Sequence, residues 1–230
     1  MYKIKLSAIM LSITLTLLLF SGCKSNNNVD YSSNKKPIIA VTIVPQRTFV
    51  KAICGDLVEI ITMVPPGNSP SNYEPTALEM EKFSDSSLYF SIGVPMEEAS
   101  IMKNIGNTKV VSLQKEVSAV YPDRTFGSGQ RDPHIWLSPK RVKVMIDVIA
   151  LEMSKLDQSN KDIYAKNAKA YKEKLDKLDN QIRNTLDRVE NKKIIVYRPA
   201  FGYLAEDYGI TMYALEEEGK EAKAEHLQEM

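Results

Sequence analysis

The sequence predicts an α/β protein with two lobes of mostly parallel sheet, joined by a long backbone helix, and an incomplete C-terminal lobe. Short β-branched runs alternate with amphipathic helical stretches, an order typical of parallel sheets. One apolar stripe at helical spacing continues over residues 160–190. The residues after Glu190 are too few for an independent core, which rarely forms below about 40 residues, so we expect a truncated second lobe.

The N-terminal α/β lobe is predicted within residues 37–137. Pro45 introduces a helix that ends near Cys54. Thr76 with Glu79 three positions later has the pattern of a capping box and predicts a short helix. The first β-branched run is apolar throughout, so we expect a strand buried on both faces. The four runs that predict strands are 38–44, 58–64, 88–92 and 108–112.

The second half of the chain begins with a helical region at residues 138–190. Ser138 followed by Pro139 is typical of an N-cap and a first-turn proline. The stripe at 160–190 covers only about four heptads, which favours a backbone helix lying across a domain over a coiled coil. Residues 191–230 are predicted to begin the C-terminal lobe, with a strand, a helix and a second strand.

The first 22 residues have the pattern of a secretory signal: two lysines, an apolar run over 6–20, and the small pair before Cys23. The apolar run is shorter than the 20 or so residues that a membrane-spanning helix needs. The segment ending at Cys23 resembles the lipobox of bacterial lipoproteins, although Phe20 stands where leucine is commoner. The resemblance implies lipidation at Cys23 and an extracytoplasmic, membrane-anchored protein with a flexible tether at residues 23–36; an ordinary secreted protein is the alternative.

Composition excludes several classes of function. The 30 basic and 29 acidic residues nearly balance, so the chain has no electrostatic footprint for nucleic acid. No HExxH, CxxC, GxSxG or P-loop motif is present, and no nucleophile–base pair is visible, so we expect no enzyme activity. With Cys23 modified, Cys54 has no disulfide partner, and its apolar surroundings predict a buried small hydrophobe.

Only two histidines occur in the chain. His226 lies in a charged stretch that predicts a solvated helix face. His134 lies between Pro133 and Ile135, next to the only tryptophan, Trp136. A single histidine is more often a structural residue than a ligand, so its role depends on what else the sequence places near it.

Four short blocks give that context, because their order is similar to that in the cluster A-I solute-binding proteins, the zinc- and manganese-binding lipoproteins of ABC importers. This resemblance, of the zinc-uptake type, implies two α/β lobes joined by a long helix, a zinc or manganese ion between them, and an ABC permease and ATPase as partners. It covers about residues 38–230. The blocks are Pro65-Pro66-Gly67, Asn72-Tyr73-Glu74-Pro75-Thr76, Asp132-Pro133-His134-Ile135-Trp136-Leu137 and Arg198-Pro199-Ala200-Phe201-Gly202-Tyr203.

The ligands that the resemblance implies are only partly present. His134 falls on a family histidine, whereas Asn72 and Arg198 stand where two other histidines are expected, and the acidic fourth ligand would lie beyond Met230. Zinc takes three or four N, S or O donors, and a guanidinium offers no lone pair. A divalent ion ~4 Å from Arg198 would be repelled by about 8 kcal/mol at an effective dielectric of 20. We therefore predict that this chain does not bind zinc tightly.

The leading hypothesis is a lipid-anchored solute-binding protein of a zinc- or manganese-type ABC importer. One alternative keeps the fold but binds an anion through Arg198, with Asn72 and His134. Two others are an adhesion or scaffold lipoprotein and a degraded gene product without function. Further acidic residues downstream would favour a metal, and further basic residues an anion.

Overall fold

The computed structural model describes residues 36–217 and 220–221. Cys23, its lipobox, the tether up to residue 35 and His226 lie outside the described residues. Within the described part of the chain, no helix is both long and apolar enough to cross a membrane. The strands are β1 (Ile38–Val41), β2 (Glu59–Thr62), β3 (Leu88–Ser91), β4 (Lys109–Ser112), β5 (Lys193–Val196), β6 (Thr211–Ala214), β7 (Glu216–Glu217) and β8 (Lys220–Glu221).

The first lobe contains a four-stranded, fully parallel sheet in the order β2-β1-β3-β4. All four residues of β1 are buried, which confirms the strand predicted from its continuous apolar run. Cys54 is buried beside this sheet, and burial raises the pKa of its thiol to about 12, so it behaves as a small hydrophobe.

Two helices begin at the predicted side-chain caps. Thr76 accepts a hydrogen bond from the Glu79 amide, and Glu79 accepts one from the Thr76 amide, so the predicted capping box is present. The Ser138 hydroxyl caps the helix that Pro139 opens. The helices are α1 (Val44–Cys54), α2 (Ala77–Ser84), α3 (Leu113–Ser118), α4 (Pro139–Leu156), α5 (Lys161–Leu186) and α6 (Gly202–Tyr208).

Helix α5 is the predicted backbone helix. Its N-terminal half packs against α4 and α1, where Tyr164, Ala168 and Leu175 are buried. Further along the same stripe, Leu178 and Val189 are exposed. The helix ends at Leu186, a few residues before the predicted end, and an exposed connection leads to the second lobe.

The described part of the second lobe has β5 and β6 paired in parallel, with α6 between them in sequence. β7 and β8 form a short antiparallel pair. Parallel sheets in both lobes and the long helix confirm the predicted fold class. One face of β5 is open, because the Ile195 side chain is 63% exposed.

Candidate functional site

A cleft with a volume of about 630 Å³ opens beyond the carboxyl ends of the first-lobe strands. In open parallel sheets this edge is where ligands bind. The cleft is lined by the segment after β3, by the loop that carries His134, and by three residues of the second lobe, Arg198, Pro199 and Glu216.

His134 is held in one orientation by its own loop. The Nδ1 atom lies 2.7 Å from Oδ1 of Asp132, and the same oxygen accepts the His134 backbone N–H at 3.0 Å. In the neutral imidazole this contact places the proton on Nδ1, facing the Asp132 carboxylate, and leaves the Nε2 lone pair free. A carboxylate behind an imidazole is the usual arrangement around a metal-binding histidine.

Two aromatic rings flank this imidazole. The ring centroid of Trp136 lies 5.1 Å from that of His134, and the Phe126 centroid lies 6.3 Å away. The His134 side chain remains 26% exposed, so the rings restrict its motion while leaving it accessible from the cleft.

Two of the sequence blocks interlock behind His134. The Tyr203 hydroxyl donates to the Asp132 carbonyl at 2.9 Å and accepts the Arg124 amide at 3.0 Å. Nη1 of Arg124 lies 3.1 Å from Oδ2 of the fully buried Asp132. An added Cβ at Gly202 would lie 2.2 Å from Nη1 of Arg124, so only glycine permits this approach. The block that contains Gly202 and Tyr203 therefore supports the histidine loop.

A buried ion pair also connects the two lobes beneath the cleft. Arg141 is 2% exposed, and its guanidinium carbon lies 4.3 Å from the Tyr203 ring centroid. Its Nε atom is 3.6 Å from Oδ2 of Asp207 on α6. Asp207 also accepts a hydrogen bond from the Ser138 hydroxyl and pairs with Lys140 at 2.6 Å. No local pattern predicts this cluster, because Asp207 is far along the chain from Ser138, Lys140 and Arg141.

The two replaced ligand positions are placed differently. Arg198 lines the cleft but is 63% exposed, and its Nε atom lies 3.4 Å from Oε2 of Glu216. The Glu216 carboxylate offsets part of the electrostatic repulsion that the Arg198 guanidinium would exert on a divalent cation in the cleft. Asn72 is exposed, and its backbone N–H donates to the Ser69 carbonyl at 3.4 Å. Ser69 and Ser71 line the cleft, but Asn72 does not. The structure thus brings His134 and Arg198 to one cleft without Asn72.

Sequence reasoning missed most charged residues of the cleft wall, among them Glu97 and Arg131. Glu97 is buried in a single π turn (Glu97–Ile101), where its carboxylate accepts the amides of Ile92 and Gly93, each at 2.8 Å. Arg131 lies against Gly93 on the same wall. The local sequence signals near this turn are Gly93 and Pro95, which indicate a chain reversal after β3. Neither residue indicates that Glu97 and Arg131 line a cleft.

The family model for "Zinc-uptake complex component A periplasmic" (ZnuA) matches residues 39–230. The chain belongs to this family. The iron ABC transporter substrate-binding lipoprotein MtsA of Streptococcus pyogenes serotype M1 is 31% identical over 218 residues, which cover 90% of this chain and 70% of MtsA. The manganese ABC transporter substrate-binding lipoprotein PsaA of Streptococcus mitis is 30% identical, with 85% and 67% covered.

Solved structures agree with the ZnuA assignment. A crystal structure of ZnuA superposes with a TM-score of 0.76 at 31% identity, covering 85% of this chain and 76% of that one. The predicted solute-binding family is thereby confirmed, and this family is one of transport proteins. Among residues 36–217 and 220–221, no group of three or more His, Cys, Asp or Glu side chains could hold a metal ion. In this respect the cleft differs from what its family resemblance implied.

Proposed function

We propose that this chain is a lipid-anchored, extracytoplasmic solute-binding component of an ABC importer for a divalent metal such as zinc or manganese. It would pass its cargo to a permease driven by an ATPase. The observation that carries the proposal is His134, whose Nε2 lone pair is kept available by Asp132 in a cleft that both lobes line. The ZnuA family assignment supports the transport role.

Cells that lack this protein test the proposal directly. Accumulation of radioactive zinc and manganese should fall in the deletion strain, and the full chain should restore it. The His134→Ala variant should fail to restore it, whereas Lys174→Gln, on the exposed face of α5, should restore it fully. Equal accumulation with and without the protein would refute a role in metal import.

The lipid anchor is tested by a substitution at Cys23. We expect Cys23→Ala to leave the membrane fraction or to retain an uncleaved signal, because the thioether that carries the acyl chains cannot form. Fractionation with detergent-phase separation measures this outcome. A Cys23→Ala protein that is processed to its mature size and still partitions into detergent would contradict lipidation.

Free zinc is expected to bind only weakly, with a Kd above about 1 μM, because one imidazole replaces the usual three or four donors. Isothermal titration of the purified protein measures this. The double variant Asn72→His and Arg198→His should bind at least about tenfold more tightly, provided that the exposed loop of residue 72 closes on the cleft. As a matched control, Asn68→His with Arg198→His adds its imidazole outside this cleft. Tight zinc binding by the unchanged chain, abolished by His134→Ala, would contradict the prediction.

A further inference from the structure

The second lobe shares little of the apolar core of the first lobe. Of its described residues, only Tyr203 belongs to the main apolar core. Lobes that meet through a small or polar interface move relative to each other unless specific contacts hold them. Asp207 makes such contacts, and it lies one helical turn after Tyr203 on the same face of α6.

Asp207 packs against the first turn of α4. Its carboxylate accepts a hydrogen bond from the Ser138 hydroxyl, and its two oxygens lie 2.6 Å from Nζ of Lys140 and 3.6 Å from Nε of Arg141. The Asp207 side chain is only 4% exposed, so solvent ions screen these attractions weakly. The first turn of a helix also carries partial positive charge, which strengthens them further.

Arg141 depends on this carboxylate. Its side chain is almost fully buried, its Nη1 atom donates to the Pro122 carbonyl at 3.0 Å, and its Nε atom has no hydrogen bond among the described residues. Removing the Asp207 charge would leave a buried guanidinium uncompensated, which costs far more than the loss of an exposed ion pair. Separation of the lobes would lower that cost, because it lets water reach the Arg141 side chain.

The carboxylate is connected to the cleft through a short part of the second lobe. Helix α6 directly follows the turn Pro199–Phe201. Arg198 precedes this turn, and the amide of Glu216 donates to the carbonyl of Tyr197 at 2.8 Å, so both residues move with α6. As far as the structure describes it, the second-lobe wall of the cleft consists of Arg198, Pro199 and Glu216. A shift of α6 therefore changes the separation between this wall and His134.

We propose that Asp207 is a positioning residue for the cleft. By pairing with Lys140 and Arg141, it holds the wall that carries Arg198 opposite His134, and loss of this pairing shifts the protein toward an open cleft. The inference goes beyond the proposed import function. It rests on that function only for what the opening serves, which is the release of cargo.

Trp136 reports on the opening, because it is the only tryptophan of the chain and lines the cleft beside His134. Acrylamide quenching of its fluorescence measures its accessibility in the purified full-length chain, without added metal. Asp207→Asn should raise the quenching constant at least about twofold, because the cleft opens to solvent. Asp207→Glu keeps the charge and should restore most of the wild-type value. The matched control is Asp176→Asn, which removes a carboxylate that pairs with Lys143 at 2.6 Å but is 54% exposed, and it should leave the constant unchanged.

Urea denaturation establishes first that each variant is folded. A folded Asp207→Asn protein with reduced stability and unchanged quenching would mean that Asp207 stabilises the fold without positioning the cleft, which overturns the inference. Equal increases for Asp207→Asn and Asp176→Asn would overturn it too, because the loss of any ion pair would then have the same effect.

A milder variant keeps the inference testable if Asp207→Asn does not fold. Lys140→Gln removes only the partly exposed partner, so it should raise the quenching constant by a smaller factor, and an unchanged constant would overturn the inference. None of these measurements involves metal. The accumulation experiment therefore decides separately whether the proposed import function holds.

Discussion

At the scale of single residues, the contacts of Asp132 explain why the block around His134 and the block that contains Gly202 and Tyr203 depend on each other. The carboxylate is fully buried and is balanced by Arg124 on one side and by His134 on the other. A buried carboxylate is tolerated only when it is paired and hydrogen-bonded. Gly202 matters because it leaves room for the Arg124 guanidinium.

We expect Gly202→Ala to destabilise the protein by about 2 kcal/mol. The new methyl group would displace Arg124 from Asp132, and a hydrogen bond to a charged group contributes roughly 1.5–3 kcal/mol. We choose the lower half of that range because the Arg124 side chain is partly exposed. Urea denaturation followed by circular dichroism measures the change in the free energy of unfolding.

A double-mutant cycle shows whether Arg124 transmits the effect. In an Arg124→Ala background the clash is absent, so the further change Gly202→Ala should cost much less than it does alone. Equal costs in both backgrounds would mean that Gly202 acts through the backbone of α6 and not through the ion pair.

At the scale of elements, the π turn at Glu97–Ile101 ties the ends of two strands together below the cleft. Its Glu97 carboxylate accepts both amides that follow β3, and the hydroxyl of Thr42, just after β1, donates to it as well. Burial raises the pKa of Glu97 despite these hydrogen bonds. The turn therefore keeps Gly93, and with it Arg131, in place.

The raised pKa gives this element a pH dependence of defined sign. Folded Glu97 binds a proton more readily than the unfolded chain, so its contribution to stability falls as pH rises from about 4.5 through the folded pKa. Glu97→Gln cannot titrate. We therefore expect the free energy of unfolding of the wild type, relative to this variant, to be lower at pH 7 than at pH 4.5, as measured by urea denaturation.

A neighbouring residue provides the control for that experiment. Glu98 is exposed, and Glu98→Gln should keep the pH dependence of the wild type. A constant difference between wild type and Glu97→Gln across the range would show that the buried carboxylate does not ionise differently on unfolding.

The elements show how far sequence reasoning reaches. Strands β1 to β4 begin and end within three residues of their predicted bounds, and the caps at Thr76 and Ser138 are present, because these signals are local. The π turn and α3 were not predicted, since they lack a long apolar period. Of the cleft, His134 and Arg198 were found through short blocks, whereas Arg131, Glu97 and the Arg141–Asp207 pair depend on tertiary contacts that no local pattern reports.

At the scale of the whole molecule, the two lobes differ in how completely their strands are covered. Strands β1 and β3 of the first lobe are buried throughout. In the second lobe, Ile195 and Tyr197 are 63% and 67% exposed. The connection between α5 and β5 is exposed over residues 187–191. Local opening is easiest where few contacts hold the chain, so this connection is the weakest point.

Limited trypsin digestion of the purified full-length chain should therefore cut first near Arg188 or Lys192, while residues 37–157 resist. The interlock of Tyr203 with Asp132 and of Asp207 with Lys140 should hold the two fragments together in native buffer. Size-exclusion chromatography should then show one peak that a denaturing gel resolves into two bands. Tyr203→Phe keeps the ring but loses its hydrogen bonds to the Arg124 and Asp132 backbones, so the nicked variant should separate more readily. Uniform protection through Met230 would contradict the prediction that trypsin cuts at the exposed α5–β5 connection. Separation of the two wild-type fragments after cleavage would show that the contacts between the lobes need an intact connection.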